Sequence, residues 1–266
     1  MNTIVNGLWI GDLNKLQILS IKSFLKNGHR YKLWVYDLDK FRNRVPYGTE
    51  LEDAKKILPK KSIFKHWSGN LATFADIFRY KLLYERGGWW VDLDLICLRP
   101  LPNDIDYFFG GERTKKTGAF KRKYPHLYWI GLMKFPKKSE ILKTMYMDML
   151  SKKDLFMTKS SKLPFNYGQT RLRILLEKKY GEDFLYRKNR YNVDLFNPFS
   201  YFDMIDFFTN GDIEKCCNRW GWDEMNVNKV LGEVYTVHLY NKIIKELEER
   251  RGMTCKLLLK LEDLVD

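Results

Sequence analysis

Apolar and polar positions in the first hundred residues fall into short dense runs separated by helix-spaced stripes. Residues 3–10 form a short apolar run of the buried-strand kind. Leu16, Leu19, Ser20, Ser23 and Phe24 then recur three or four apart, the spacing of one helix face, and Asn27-Gly28 supplies a stop. Residues 33–36 (LWVY) read as a second buried strand. Strand, helix and strand in so short a stretch predict a βαβ unit, and hence a parallel sheet.

Residues 37–67 are mixed and basic, with Pro46 and Pro59 interrupting any long element. The clearest helix is predicted over residues 70–86, where Leu71, Phe74, Phe78 and Leu82 make an apolar stripe. Gly87-Gly88 ends it, because glycine accepts positive φ. A continuous strand is predicted over 89–98, ended by Pro100. Residues 101–165 read as loop-rich around one helix at 139–150, residues 233–239 (EVYTVHL) as a late strand, and residue 241 onward as one charged amphipathic helix. With no internal repeat, low-complexity tract or linker, the pattern predicts one α/β domain over residues 1–266.

Composition narrows the class. The 266 residues are 45% hydrophobic and 15% aromatic, enough for a sizeable core, which excludes a chain disordered as a whole. A net charge of +14 predicts attraction to an anionic partner: a nucleotide diphosphate, an acidic glycan, nucleic acid or an anionic membrane surface. Part of the charge lies in 113–123 (RTKKTGAFKRK), which reads as a loop. Cys97, Cys216, Cys217 and Cys255 lack metal-ligand spacing, and the vicinal pair suits a reduced compartment. The start resembles no signal peptide, and no apolar run reaches the ~18 residues of a membrane span. A cytoplasmic location, with peripheral membrane contact, is therefore expected.

Chemistry concentrates in residues 70–100. Asp92 and Asp94 alternate with Val91, Leu93 and Leu95, so in a continuous strand both carboxylates share one face. Two such groups in an apolar strand repel, and need a cation or hydrogen-bond donors between them. Hard oxygen ligands of this kind suit Mg²⁺ or Mn²⁺, which in turn hold diphosphates. Upstream, Asp76 and Arg79 stand three apart on neighbouring positions of one helix face, and the glycine turn can aim them at the same cleft. On residues alone two further classes stay open: a Mg²⁺-dependent nuclease or phosphohydrolase built on the same aspartates, and a basic nucleic-acid-binding protein. The first lacks an obvious additional acidic ligand, and the second leaves the acidic pair unexplained.

The composite Asp76-x-x-Arg79-Tyr80, Gly87-Gly88 and Trp90-x-Asp92-x-Asp94 resembles the sugar-binding region of DXD-containing glycosyltransferases. That group includes yeast outer-chain mannosyltransferases, capsular polysaccharide transferases and α1,4-glycosyltransferases. The similarity is densest over 70–100, and extends weakly to Trp9-Ile10-Gly11, to 28–36, to Asn197–Phe202 (without the family's second proline) and to Thr236–Tyr240, where Tyr240 replaces a tryptophan. The resemblance implies a GT-A type nucleotide-binding α/β sandwich, its central, mostly parallel sheet flanked by helices. Residues 1–100 would form the nucleotide-sugar-binding half, 101–240 the acceptor-side half and 241–266 a C-terminal helix. It further implies a retaining, metal-dependent transferase that takes a UDP-sugar in preference to a GDP-sugar, a glycan, lipid-linked or protein acceptor, and no nucleic acid. A bacterial or viral origin fits better than a Golgi one.

Residue by residue, the resemblance makes Asp94 the direct ligand of Mn²⁺ or Mg²⁺, with Asp92 a weaker ligand that also contacts the donor. Asp76 and Arg79 would position sugar and phosphate, and His238 would be a metal or phosphate contact. Trp9 and Ile10 would lie beside the base, with Tyr80 and Gly88 completing the donor side. Asn166, Tyr167 and Gln169, in FNYGQTR, are candidates for the acceptor side.

Overall fold

In a computed structural model of the chain, the described residues are 3–113, 126–161, 163–164, 166–181, 195–199, 204, 227–249 and 252–265. The segment 114–123 of the basic stretch, the Cys216-Cys217 pair and residues 200–202 lie outside them.

The first βαβ unit forms as its pattern predicts. Strand β1 (Ile4–Trp9) leads through helix α1 (Lys15–Lys26) to strand β2 (Arg30–Val35), and β1 and β2 pair in parallel from Ile4↔Arg30 to Trp9↔Val35. Asn14 starts α1 with a capping box, its side chain accepting from Gln17 N–H while the Gln17 side chain accepts from Asn14 N–H. A short helix α2 (Leu38–Phe41) precedes strand β3 (Glu50–Asp53), which extends the parallel sheet beside β2.

Helix α3 (Ala72–Arg86) runs to Gly87 at φ 69°, and strand β4 (Gly88–Val91) returns beside β1 in parallel. Gly87 is needed twice over. Its φ is left-handed, and a Cβ there would lie 2.7 Å from the Lys137 amide nitrogen.

The structure corrects the continuous strand over 89–98. Strand β4 stops at Val91, residues 92–94 turn, and β5 (Leu95–Cys97) joins a different sheet. The periodicity was right as far as burial goes, since Val91, Leu93 and Leu95 are all buried. Two like charges on one straight strand would face the same surroundings, whereas the turn gives each aspartate its own partners.

A second correction concerns the loop-rich reading of 101–165. Strands β6 (Phe108–Arg113) and β7 (His126–Phe135) occupy much of it, β7 pairing antiparallel with both β4 and β6. Both faces of β7 are covered, with Leu132 and Met133 each wholly buried, so no polar alternation marks the strand. The six-stranded sheet has the order β3-β2-β1-β4-β7-β6, parallel through its first four strands. Helix α4 (Glu140–Ser151), the short α5 (Lys153–Met157) and α6 (Tyr167–Tyr180) follow.

Towards the C-terminus come helix α7 (Val227–Glu233), strand β8 (Thr236–His238), which pairs antiparallel with β5, and helix α8 (Asn241–Ile244). The late strand is thus three residues long, its predicted first residue ending α7 instead. The single C-terminal helix is corrected as well: a wide helical turn (Lys245–Glu249) follows α8, Gly252 has φ 62°, and α9 (Lys256–Val265) starts afresh.

Three apolar clusters organise the layers. Leu8, Trp34, Trp90 and Met133 on one sheet face meet Phe74, Phe78 and Leu82 of α3 and Met145 and Met149 of α4. Val5, Leu33, Trp89, Val91 and Leu132 on the opposite face meet Ile21 and Phe24 of α1. The outer side of α1, β5, β8 and the C-terminal helices share a third cluster. This is an α/β sandwich with a central, mostly parallel sheet flanked by helices, as expected.

Candidate active site

The turn at 92–94 lies past the C-terminal end of β4, where chain leaving a parallel strand is free to hold a ligand. Asp92 keeps the side of the sheet that faces α3. Its Oδ1 accepts from Arg79 Nη2 at 2.8 Å and from Trp90 Nε1 at 2.7 Å. Arg79 also donates from Nη1 to the Ile130 carbonyl at 2.7 Å, stands 3.6 Å from Asp76 Oδ1, and lies 4.8 Å over the Trp90 ring. The sequence-level pairing of Asp76 with Arg79 is therefore part of a buried Asp76–Arg79–Asp92 chain rather than a surface ion pair. The Arg79 side chain is 5% exposed and that of Asp76 9%.

Asp94 faces the other way. Its Oδ2 accepts from the Asn241 backbone N–H at 2.9 Å and lies 3.3 Å from His238 Nε2. The Leu239 N–H donates to the Asp94 carbonyl at 2.9 Å, which ties the turn to the end of β8. His238 is flanked by the Trp129 ring at 4.7 Å and the Tyr240 ring at 3.9 Å. Tyr240 sits at φ 49°, an unusual setting for a residue with a side chain, next to the Asn241 N–H that reaches Asp94.

The pKa values of the two carboxylates are shifted in opposite directions. Burial raises the pKa of Asp92; Arg79 pulls it down, and Asp94 pushes it up again. Burial also opposes ionisation of Asp94, but the charge of His238 and the hydrogen bonds from His238 and Asn241 outweigh it, keeping its pKa below the ordinary value. Asp76 is pushed up to about 7, chiefly by burial, with Arg79 lowering it and Asp92 raising it.

The remaining predicted residues fall at varied distances from this centre. Tyr80 is fully buried beneath the site, its pKa raised by burial and by the charge of Asp76. Gly88 opens β4 at φ 90°, at the opposite end of that strand from the aspartate turn. Trp9 and Ile10 are half-buried at the end of β1, with Trp9 Nε1 donating to the Asp12 carbonyl at 3.0 Å. On the other side, Tyr167 donates its hydroxyl to Asp148 at 2.8 Å, Asn166 is exposed at the start of α6, and Gln169 is half-buried. Between Tyr167 and Gln169, a Cβ on Gly168 would lie 3.2 Å from Asp76 Oδ2, so the first turn of α6 abuts the Asp76–Arg79 pair.

Sequence reasoning missed Trp129, the Trp90 indole as a donor, and the Asn241 N–H. Trp129 lies on a strand without alternation, and a backbone donor leaves no residue-type signal.

The family model described as "Glycosyltransferase sugar-binding region containing DXD motif" matches residues 14–109. Over residues 14–109 the chain is similar to a DXD sugar-binding region. The matched stretch spans about a third of the chain and includes Asp76, Arg79, Asp92 and Asp94, while Trp9, Ile10 and His238 lie outside it. Among curated proteins no sequence match is found. Among solved structures the chain is similar to PaToxG glycosyltransferase, with 15% identity, 73% of this chain and 75% of that chain covered, and a TM-score of 0.47. It is also similar to the apo-form glycosyltransferase GlyE of Streptococcus pneumoniae TIGR4, with 16% identity over 90% of this chain and a TM-score of 0.48. The chain spans 54% of that GlyE chain.

Proposed function

We propose that the protein is a metal-dependent, retaining glycosyltransferase that moves a sugar from a nucleotide-sugar donor, a UDP-sugar before a GDP-sugar, to a glycan, lipid-linked or protein acceptor. The observation that carries this reading is the convergence of Asp76, Arg79 and Asp92 in one chain of contacts beside Asp94 and His238, at the C-terminal end of a central parallel strand.

The donor set suits a divalent cation completed by phosphate oxygens. Asp94 supplies an ionised carboxylate and His238, once its proton is displaced, an imidazole beside it, with Asp92 one turn away and 31% exposed. Mg²⁺ commonly takes one or two carboxylates plus phosphate and water, and needs no complete protein cage. Among the described residues no group of three or more potential metal ligands occurs. When bound, Mn²⁺ or Mg²⁺ would neutralise charge growing on the departing diphosphate.

The chain's own residues position. Arg79, fixed by Asp92 and the Ile130 carbonyl, holds the first aspartate of the turn in a single orientation. The Asn241 N–H and His238 keep Asp94 charged and aimed. Trp129 and Tyr240 restrict the His238 ring between them. In this reading residues 1–100 bind the donor, while Asn166, Tyr167 and Gln169 border the acceptor side, next to Asp76 through Gly168.

Isothermal titration with UDP- and GDP-sugars, in Mn²⁺ or in EDTA, tests the proposal. Binding of one donor that needs Mn²⁺ and is lost in Asp94→Ala is the expected result. A folded wild-type protein that binds no member of the panel overturns it.

A further inference from the structure

Away from the aspartates, the loop at 65–69 and helix α5 meet on the surface, where the Trp67 N–H donates to the Phe156 carbonyl at 2.9 Å. Three large apolar side chains are left exposed there: Trp67 at 42%, Leu155 at 47% and Met157 at 46%. Trp67 is anchored, since its ring packs 5.1 Å from His66 and its Nε1 donates to the Leu163 carbonyl at 3.4 Å. A fixed, exposed indole beside two flexible apolar side chains has no role in the core and marks a surface for contact.

The charge around it is predominantly positive. Residues 60–67 and 152–161 contain six lysines, Lys60, Lys61, Lys65, Lys152, Lys153 and Lys159, against the single acid Asp154. Lys60, Lys61, Lys65 and Lys159 are exposed, with no ion pair among the described residues. Among the described residues, only Lys152 of these six is committed to a carboxylate, that of Asp148.

The ground beneath the patch leads to the site. Phe156, wholly buried between Leu155 and Met157, stacks 6.4 Å from Phe64 and lies edge-on 5.4 Å from Tyr167. Tyr167 precedes Gly168, which abuts Asp76.

We propose that Trp67, Leu155 and Met157, rimmed by these lysines, dock the protein on an anionic lipid bilayer with the acceptor side of the site at the lipid surface. A tryptophan with short apolar neighbours suits the headgroup boundary, and lysines add attraction to anionic lipid. The inference rests on the glycosyltransferase reading for its meaning, pointing to a lipid-linked acceptor, but the docking itself requires no donor.

The test is sedimentation of the full chain with vesicles of phosphatidylcholine alone or with a quarter phosphatidylglycerol, without nucleotide sugar. Wild type is expected to pellet with the anionic vesicles only. Leu155→Ser/Met157→Ser should lower the partition coefficient at least about tenfold, and Lys65→Gln about fivefold. Leu259→Ser/Leu264→Ser, which alters exposed leucines on α9, should leave it unchanged. No anionic-vesicle binding at moderate salt overturns the proposal, as does binding that the α5 variant leaves intact. A self-association that the α5 variant abolishes, without vesicle binding, also overturns it and assigns the patch to a second copy. Donor turnover, measured separately in solution, shows whether the transferase reading stands when docking fails.

Discussion

Replacing Arg79 with methionine removes the centre of the buried chain while keeping most of the side chain's bulk. Two charge-assisted hydrogen bonds are lost, to Asp92 and to the Ile130 carbonyl, together with the 3.6 Å ion pair to Asp76. Removing one partner of a buried ion pair costs ~3–5 kcal/mol, and an orphaned buried carbonyl a further ~1–3 kcal/mol. Asp92 is 31% exposed and can partly rehydrate, so a total loss of about 3–4 kcal/mol at pH 8 is expected. Against a typical stability of ~5–15 kcal/mol the variant should still fold.

The loss should depend on pH. Without Arg79 the folded-state pKa values of Asp76 and Asp92, already raised by burial, rise further. An acid whose folded pKa exceeds its unfolded value costs stability as pH rises through the window between them, because the folded state holds the proton longer. The window here starts near the ordinary carboxylate value and extends beyond the pKa of about 7 that Asp76 has with Arg79 present. The deficit should therefore be largest at pH 8 and shrink towards pH 5. Urea unfolding of both proteins at pH 5, 6, 7 and 8 measures it. Equal deficits at pH 5 and pH 8, or a deficit below ~1 kcal/mol at pH 8, refute the reasoning.

Three further outcomes are expected. Gly87→Ala must both hold φ 69° and press a methyl towards the Lys137 backbone, so a loss of roughly 1–3 kcal/mol in urea unfolding is expected, and a change within experimental error contradicts the turn geometry. His29 accepts from the Leu101 N–H at 3.0 Å through Nε2, and burial lowers its pKa, so the unfolded state takes up a proton first as pH falls. Stability should thus decline below pH ~6.5 by no more than about 1.4 kcal/mol per pH unit from this group, and His29→Gln should flatten that slope. Asp92→Asn should weaken donor affinity less than Asp94→Ala does, since Asp94 is the carboxylate whose pKa is lowered; titration calorimetry giving the reverse order overturns that division of roles.

Part of the candidate site's geometry was legible in the sequence. Asp76 and Arg79 stood out because two charged residues three apart broke an apolar helical stripe, and the structure buries both. Gly87-Gly88 was legible because a left-handed turn demands glycine, and both have positive φ. The first βαβ unit was legible because its residues repeat at the periods of helix and strand. Strands β6 and β7 were not, because a strand covered on both faces shows no alternation.

The sequence by itself determined the local elements around residues 4–35 and 70–91, the identity of the charged side chains, and the apolar burial of Val91, Leu93 and Leu95, all of which depend on neighbours a few residues apart. Tertiary structure alone decided that the strand breaks between Val91 and Leu95, so that Asp92 turns to Arg79 and Asp94 to His238 and the Asn241 N–H. Those partners lie 13 and about 145 residues from the aspartates along the chain. Whether a strand continues or turns depends on which distant donors can satisfy two buried carboxylates, and local periodicity holds no record of them.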